Sequence, residues 1–342
     1  MQTTQSIIRF TKRVLLTLVV LFILLLIAYA VWSPGLDVHD GRHDRGTNGL
    51  WLQHGWLGDD AWFTRNQRDV SRFRSDERIA ALAAQLRGHH ITDVFPHLCP
   101  CEPTGHIARV DAKQVERFLD GMAEGVRVIP WVGGVFEGGA WPDSPAWRQR
   151  FIESIVALLA EHPRLAGVQV NIEPMPSGHA GFLVLLEELR AAMPKEKVLS
   201  VAAYPPPTRW HPVPEVHWEM AYFQVVSSRV DQMAVMMYDT AIRWEKPYRQ
   251  LMKEWTREVI EWAGDTPVLL GLPAYDDAGT GYHHPHVENL SNGLLGIHAA
   301  LASYESLPAN YQGAAIYSEW EMDDDEWRLW RERFIKPATD SK

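Results

Sequence analysis

Glu173 closes the run Leu-Ala-Gly-Val-Gln-Val-Asn-Ile-Glu-Pro at residues 165–174. A carboxylic acid at the end of a β-branched stretch can give and take a proton where a strand meets solvent. Side chains of an extended chain alternate, so Val168, Val170 and Ile172 share one face while Gln169, Asn171 and Glu173 form a polar row on the other. Such a row suits a strand whose apolar face packs on helices and whose polar face points into a barrel. The plain alternative is a capped strand end with a solvated carboxylate.

Further polar and aromatic residues follow apolar runs along the chain. They are Trp131-Val132-Gly133-Gly134, Tyr204-Pro205-Pro206-Pro207, Met236-Met237-Tyr238-Asp239, the stretch from Gly271 to Tyr275-Asp276, and Tyr317-Ser318-Glu319-Trp320-Glu321. A barrel built only for stability has no need to gather acids and aromatics at one rim. The candidates for contact with a substrate are therefore Trp131, Tyr204, Tyr275, Tyr317, Glu319 and Trp320, with Gln169 from the polar row. The chain has 15 Trp, and flat indole faces suit the apolar faces of pyranose rings, although many of them must be core.

The elements that must position these residues alternate. Strand candidates are 49–53, 90–95, 126–132, 165–172, 198–203, 232–238, 268–272 and 313–317. Helical patterns lie near 76–87, 111–121, 144–161, 181–192, 213–227, 248–263, 294–304 and 324–334. Eight alternations predict an α/β fold, a (β/α)8 TIM barrel, with its site at the C-terminal ends of the strands. An open doubly wound sheet is the rival, but no Gly-x-Gly-x-x-Gly turn follows the first strand.

With 342 residues, 46% hydrophobic content and a net charge of −10 without long runs, the chain can bury a large core and offers no basic stripe to a nucleic acid. Arg9, Lys12 and Arg13 precede an apolar run from Val14 to Trp32, long enough to cross a bilayer. The positive-inside tendency predicts a cytoplasmic 1–13, a membrane signal-anchor at 14–32, a stem at 33–47, a barrel at 48–337 outside the cytoplasm and a tail at 338–342. Ala28-Tyr29-Ala30 offers the alternative of a signal peptide cleaved after Ala30, which exports the domain equally. Cys99 and Cys101 are too close in sequence for an unstrained disulfide, and neither they nor His283-His284-Pro285-His286 have the ligand spacing of a zinc site. No metal or cofactor is expected, and the histidine run reads as a loop.

Taken together, these residues make 48–337 resemble glycoside hydrolase family 18, the chitinase and chitinase-like barrels. The family's third-strand Ser-x-Gly-Gly is similar to Trp131-Val132-Gly133-Gly134, and its sixth-strand Met-x-Tyr-Asp to Met236, Tyr238 and Asp239. Its seventh-strand Gly-x-Pro-x-Tyr is similar to Gly271, Pro273 and Tyr275, and its eighth-strand glycine followed by aromatics to Gly313, Tyr317 and Trp320. The signature Asp-x-x-Asp-x-Asp-x-Glu falls on Ala166, Gln169, Asn171 and Glu173, so only its acid is retained. The Asn-x-Glu pair is also similar to that of family 85 endo-β-N-acetylglucosaminidases.

The resemblance implies hydrolysis of glycans containing N-acetylglucosamine. Glu173 would protonate the glycosidic oxygen while the substrate's own acetamido carbonyl attacks the anomeric carbon. Asn171 would hold the acetamido group with an amide in place of a carboxylate, Tyr238 would hydrogen-bond the same group, and Asp239 a sugar hydroxyl. Tyr317 or Trp320 would floor the reacting sugar. Two other readings stay open: a catalytically silent sugar-binding barrel, and a two-carboxylate retaining glycosidase with Glu319 or Glu321 as second carboxylate.

Overall fold

The structure is a computed structural model describing residues 2–209 and 211–336, so Trp210 and the expected tail lie outside the described residues. Nine parallel strands form one sheet: β1 Asn48–Leu52, β2 Ile91–Pro96, β3 Arg127–Val128, β4 Trp131–Val135, β5 Gly167–Glu173, β6 Val198–Ala203, β7 Gln232–Met236, β8 Val268–Pro273 and β9 Tyr311–Tyr317. Their order is β3-β2-β1-β9-β8-β7-β6-β5-β4. The two ends of that order are one stretch of chain, because β3 and β4 are the expected third strand interrupted at Ile129-Pro130. Pro130 has no N–H to give to a ladder, which accounts for the break. Around it Ile129 N still donates to Val94 O (2.9 Å) and Pro130 O accepts from Gln169 N (2.8 Å), so the sheet curls into a closed barrel.

Helices α1 Gln2–Val31, α2 Asp60–Arg65, α3 Asp76–Gly88, α4 Ala112–Gly121, α5 Pro145–Glu161, α6 Ala180–Ala192, α7 Met220–Ser227, α8 Glu245–Trp262, α9 Leu290–Leu301 and α10 Asp324–Arg333 complete the chain. Several begin on side chains that satisfy otherwise orphaned N–H groups. Asp111 caps α4, Ser144 precedes Pro145 of α5, and Asp323 forms a capping box with Glu326 of α10. The pattern expected over 213–227 instead resolves into a short turn at Pro214–Val216 and α7, since Pro214 and the extended residue before α7 interrupt it. Sequence periodicity also missed α2 and the turn Ser71–Arg74, which are too short to carry a period.

The polar row of β5 faces the barrel interior, as its alternation requires. Val168, Val170 and Ile172 join the large core between sheet and helices, whereas the interior holds Trp51, Phe95, Ile129, Trp131, Ala234, Leu269 and Ala315. Small residues make room there for large ones. A Cβ on Gly49 would lie 3.0 Å from both Ala315 Cβ and the Phe95 ring. At the N-terminal end the Asp93 carboxylate is shared by both sides of the Arg127 fork (2.7 and 2.7 Å), by Gln232 Nε2 (2.6 Å) and by Gln312 Nε2 (2.9 Å).

Within α1 the segment Phe10–Val31 is 22 residues of mean hydropathy 3.2, unburied by the rest of the chain. A removable signal sequence shares that composition. Cys99 and Cys101 are free and buried, their thiols directed to Trp131 O (3.5 Å) and Gly139 O (3.9 Å). Burial pushes the Cys101 thiol up to about 12 and Cys99 in the same direction, so neither is a ready nucleophile or ligand.

Candidate active site

Glu173 is the last residue of β5 and stands at the C-terminal mouth of the barrel, partly exposed, on a cleft of about 590 Å3. Tyr204, at the end of β6, and Tyr238 and Asp239, just past β7, line the same cleft. Asn171 Nδ2 donates to Glu173 Oε1 in a short contact, while Asn171 Oδ1 is buried with no partner among the described residues. The amide therefore keeps an unpaired acceptor beside the Glu173 carboxyl. Burial raises the pKa of Glu173, the Asn171 amide and the Tyr204 hydroxyl oppose this, and the nearby charge of Asp239 reinforces it. The net shift is upward, the direction a proton donor needs.

Asp239 is itself held from two sides. Tyr275 Oη donates to Asp239 Oδ1, and His283 Nδ1 lies 3.2 Å from the same oxygen. The Tyr275 and His283 rings stack at 4.0 Å and 18°. Burial disfavours a charged His283, but Asp239 and Glu288 outweigh it and hold its pKa above the ordinary value. Behind them Glu288 accepts from Thr240 N (2.9 Å), and burial pushes its carboxyl up to about 7. Asp239 adopts φ 61°, a left-handed conformation that costs a non-glycine residue energy and that these contacts maintain. The histidine run thus contributes a brace that its sequence does not announce, since nothing in its spacing points to β7.

The aromatics pack as a continuous set. Tyr317 stacks on Tyr238 at 5.4 Å and 18°, meets Tyr275 edge-on at 5.3 Å, and touches Trp131 at 6.2 Å and Trp320 at 5.4 Å. Burial keeps the Tyr204, Tyr238 and Tyr275 phenols well above their ordinary range, with the nearby carboxylates pushing the same way, so each stays a hydrogen-bond donor.

Two expectations change on this geometry. Gln169, expected to contact substrate, is fully buried one layer below the mouth, where its Oε1 accepts from Trp51 Nε1 (2.7 Å) and its Nε2 donates to Ser200 Oγ (3.3 Å). Both ends of its amide are occupied by the interior, so it supports the mouth from beneath. Glu319 lines neither the Glu173 cleft nor the cavity beside it; it accepts from Gln53 Nε2 (3.4 Å), and burial raises its pKa. Neither Glu319 nor Glu321 is among the groups that shift Glu173, which leaves Asp239 as the acid coupled to it. Trp131 is buried with its Nε1 unpartnered, and Trp320 is partly exposed on a second cavity. Among the described residues no cluster of three or more His, Cys, Asp or Glu is arranged to hold a metal ion.

The structure is similar to that of a chitinase from Chromobacterium violaceum, with TM-score 0.56 and 16% identity over 84% of this chain and 98% of that one. It is also similar to a fungal endo-β-N-acetylglucosaminidase of family 18 (TM-score 0.55, 14% identity, 86% and 100% covered). A third likeness is to the spore cortex-lytic enzyme SleL of Bacillus cereus (TM-score 0.53, 12% identity, 85% and 76% covered). At these identities the likeness concerns the fold. No curated protein sequence matches the chain. The family profile that matches, over residues 89–326, is that of glycosyl hydrolases family 18. The likeness to family 85 rests on Asn171 and Glu173 alone. The family match covers more than half of the chain and takes in β2 through β9, and on it this chain belongs to the family 18 glycoside hydrolases.

Proposed function

We propose that this chain is a membrane-anchored hydrolase outside the cytoplasm that cleaves glycans containing N-acetylglucosamine, with Glu173 as the general acid. One observation carries the reading: a carboxyl of raised pKa at the barrel mouth, bonded to an amide whose own oxygen is left without a partner. In the forward step the Glu173 proton passes to the glycosidic oxygen, the bond from that oxygen to the anomeric carbon breaks, and the substrate's acetamido oxygen bonds to the same carbon. Water then opens the resulting ring while Glu173 recovers a proton, giving net retention.

The amide at 171 supplies a dipole where the family's pattern has a carboxylate. The free Asn171 Oδ1 suits the acetamido N–H, which becomes more acidic as its carbonyl attacks. Tyr204 and Tyr238, protonated donors on the cleft, suit the acetamido oxygen. Asp239, held by Tyr275 and His283, keeps the Glu173 proton in place and suits a sugar hydroxyl. Trp320 lines the neighbouring cavity and not the Glu173 cleft, so it suits the face of a pyranose next to the reacting one, while one face of Tyr317 is covered by Tyr238. The organisation as cytoplasmic 1–13, anchor 14–32, stem 33–47 and catalytic domain from 48 is supported by the basic residues before Phe10–Val31 and the length of that segment.

A sugar-binding barrel without turnover is the second reading, favoured by the absence of acids at Ala166 and Gln169 beneath Glu173. Release of chromophore from an N-acetylglucosamine oligomer by the purified full chain separates the two. The proposal expects turnover that falls to background in Glu173→Gln, whereas equal release by both proteins would remove Glu173 from the chemistry.

A further inference from the structure

A second cavity of about 580 Å3 lies beside the catalytic cleft, on the other side of the aromatic set. It is lined by Trp320 and His97 from the barrel mouth and by Trp62, Arg68 and Arg72 from the segment between β1 and α3. The two sites are joined by ring contacts running from Tyr238 through Tyr317 to Trp320, and from Tyr317 through Trp131 to His97 at 4.0 Å. A glycan lying across the mouth would continue from one into the other.

The cations here are what a neutral sugar does not require. In a chain of net charge −10, Arg68 and Arg72 are exposed on the cavity, and among the described residues neither has a carboxylate at ion-pair distance. Of the acids nearby, Asp59 is bonded to His54, Asp60 to Arg74 and Glu319 to Gln53, while Asp69, which also lines the cavity, accepts from the backbone N–H and hydroxyl of Ser71 and feels the charge of Arg72 without pairing with it, so the cavity carries two guanidinium groups against one carboxylate. Both guanidinium groups are also propped on aromatic rings. Arg68 stands 5.3 Å from the centroid of Trp62, whose ring is stacked on His54 at 4.0 Å, and Arg72 stands 4.7 Å from that of Phe73 while donating to Gln53 Oε1. A guanidinium held by its face keeps N–H groups in its plane free for a carboxylate, and loses less rotamer freedom on binding one than a solvated side chain does.

We propose that this cavity is a subsite for a pyranose bearing a carboxylate, with Trp320 under the ring and Arg68 and Arg72 on the acid group. It rests on the proposed glycan-cleaving role, and names the substrate of that site as an anionic polymer of N-acetylglucosamine and an acidic sugar. Lactyl-ether and uronate sugars share this chemistry.

Binding to the detergent-solubilised full chain tests it without requiring turnover. Three tetramers serve as probes: N-acetylglucosamine alone, N-acetylglucosamine alternating with its 3-O-lactyl ether, and N-acetylglucosamine alternating with glucuronate. At least one carboxylated tetramer is expected to bind more tightly than the neutral one. The Arg68→Gln plus Arg72→Gln variant is expected to weaken that binding about tenfold while changing the neutral tetramer less than about twofold. The carboxylated probe preferred identifies the source of the acid. Equal affinity of wild type for all three, no binding of any, or equal weakening of neutral and acidic probes in the variant would overturn the proposal. Charge-selective binding that survives in a chain with no turnover would leave the subsite standing and refute the hydrolase reading instead.

Discussion

The two ends of the barrel interior are both polar, yet they are finished in opposite ways. At the N-terminal end every oxygen of the Asp93 carboxylate is taken, by Arg127, Gln232 and Gln312, and Gln232 Oε1 is the one polar atom of that group left over. At and just below the mouth the Asn171 carbonyl oxygen, the Trp131 indole N–H and the Ser318 hydroxyl are buried without partners among the described residues, and Glu173 and Asp239 share one electrostatic neighbourhood. Leaving a buried polar group unpaired costs about 1–3 kcal/mol, a cost that a ligand at the mouth would recover. One end of the same ring of strands is arranged for stability and the other for binding.

That contrast breaks most visibly on activity. Glu173→Gln should lower kcat by about 10^2- to 10^4-fold, and it should not lower stability. The folded-state pKa of Glu173 is raised, so the stability it contributes is complete below its unfolded pKa and is lost as pH rises through the folded one. The neutral amide escapes that loss, and the variant's Tm should exceed the wild type's at pH 8 while the two converge near pH 4. At the other end, Asp93→Ala should destabilise by about 3 kcal/mol, because it strands a guanidinium and two amides, yet leave kcat per folded molecule unchanged in denaturant titrations paired with kinetics.

Asp239→Asn should reduce kcat/KM about tenfold and move the descending alkaline limb of the rate profile to lower pH. The sign follows from Asp239's negative charge, which raises the pKa of Glu173; without it the acid loses its proton earlier. Trp51→Phe removes the indole N–H from Gln169 and should cost about 1–2 kcal/mol in stability with kcat within about twofold, because the lost bond lies beneath the mouth. In free-energy terms the smallest effect is expected from His283→Asn, a reduction of about two- to threefold in kcat, below about 1 kcal/mol, through loosening of Asp239 and Tyr275. Loss of activity in Asp93→Ala at full folding, or a stable but wild-type Asp239→Asn, would erase the distinction between the two ends.

Much of this was legible in the sequence because period and position are local properties. The alternation of 167–173 sets which side chains of β5 face inward, and the βα alternation sets the ring that receives them. The contacts that give those inward residues their separate roles were not legible. Gln169 and Asn171 are both amides on one face of one strand, and their fates differ because Trp51, 118 residues away, reaches the first and no described residue reaches the oxygen of the second. His283 sits in a run of histidines that spacing assigns to a loop, and it is a loop, but one folded back onto Asp239. The acid site was named by its strand, while its neighbours were settled by tertiary packing.

The role of Glu173 is tested most directly by how the Glu173→Gln loss depends on the leaving group. A general acid matters most for a poor leaving group, so kcat/KM should collapse by about 10^2-fold or more for an N-acetylglucosamine oligomer with a sugar leaving group and far less for a dinitrophenyl glycoside, which departs without a proton. Equal losses on both substrates, or none on either, would contradict proton donation by Glu173.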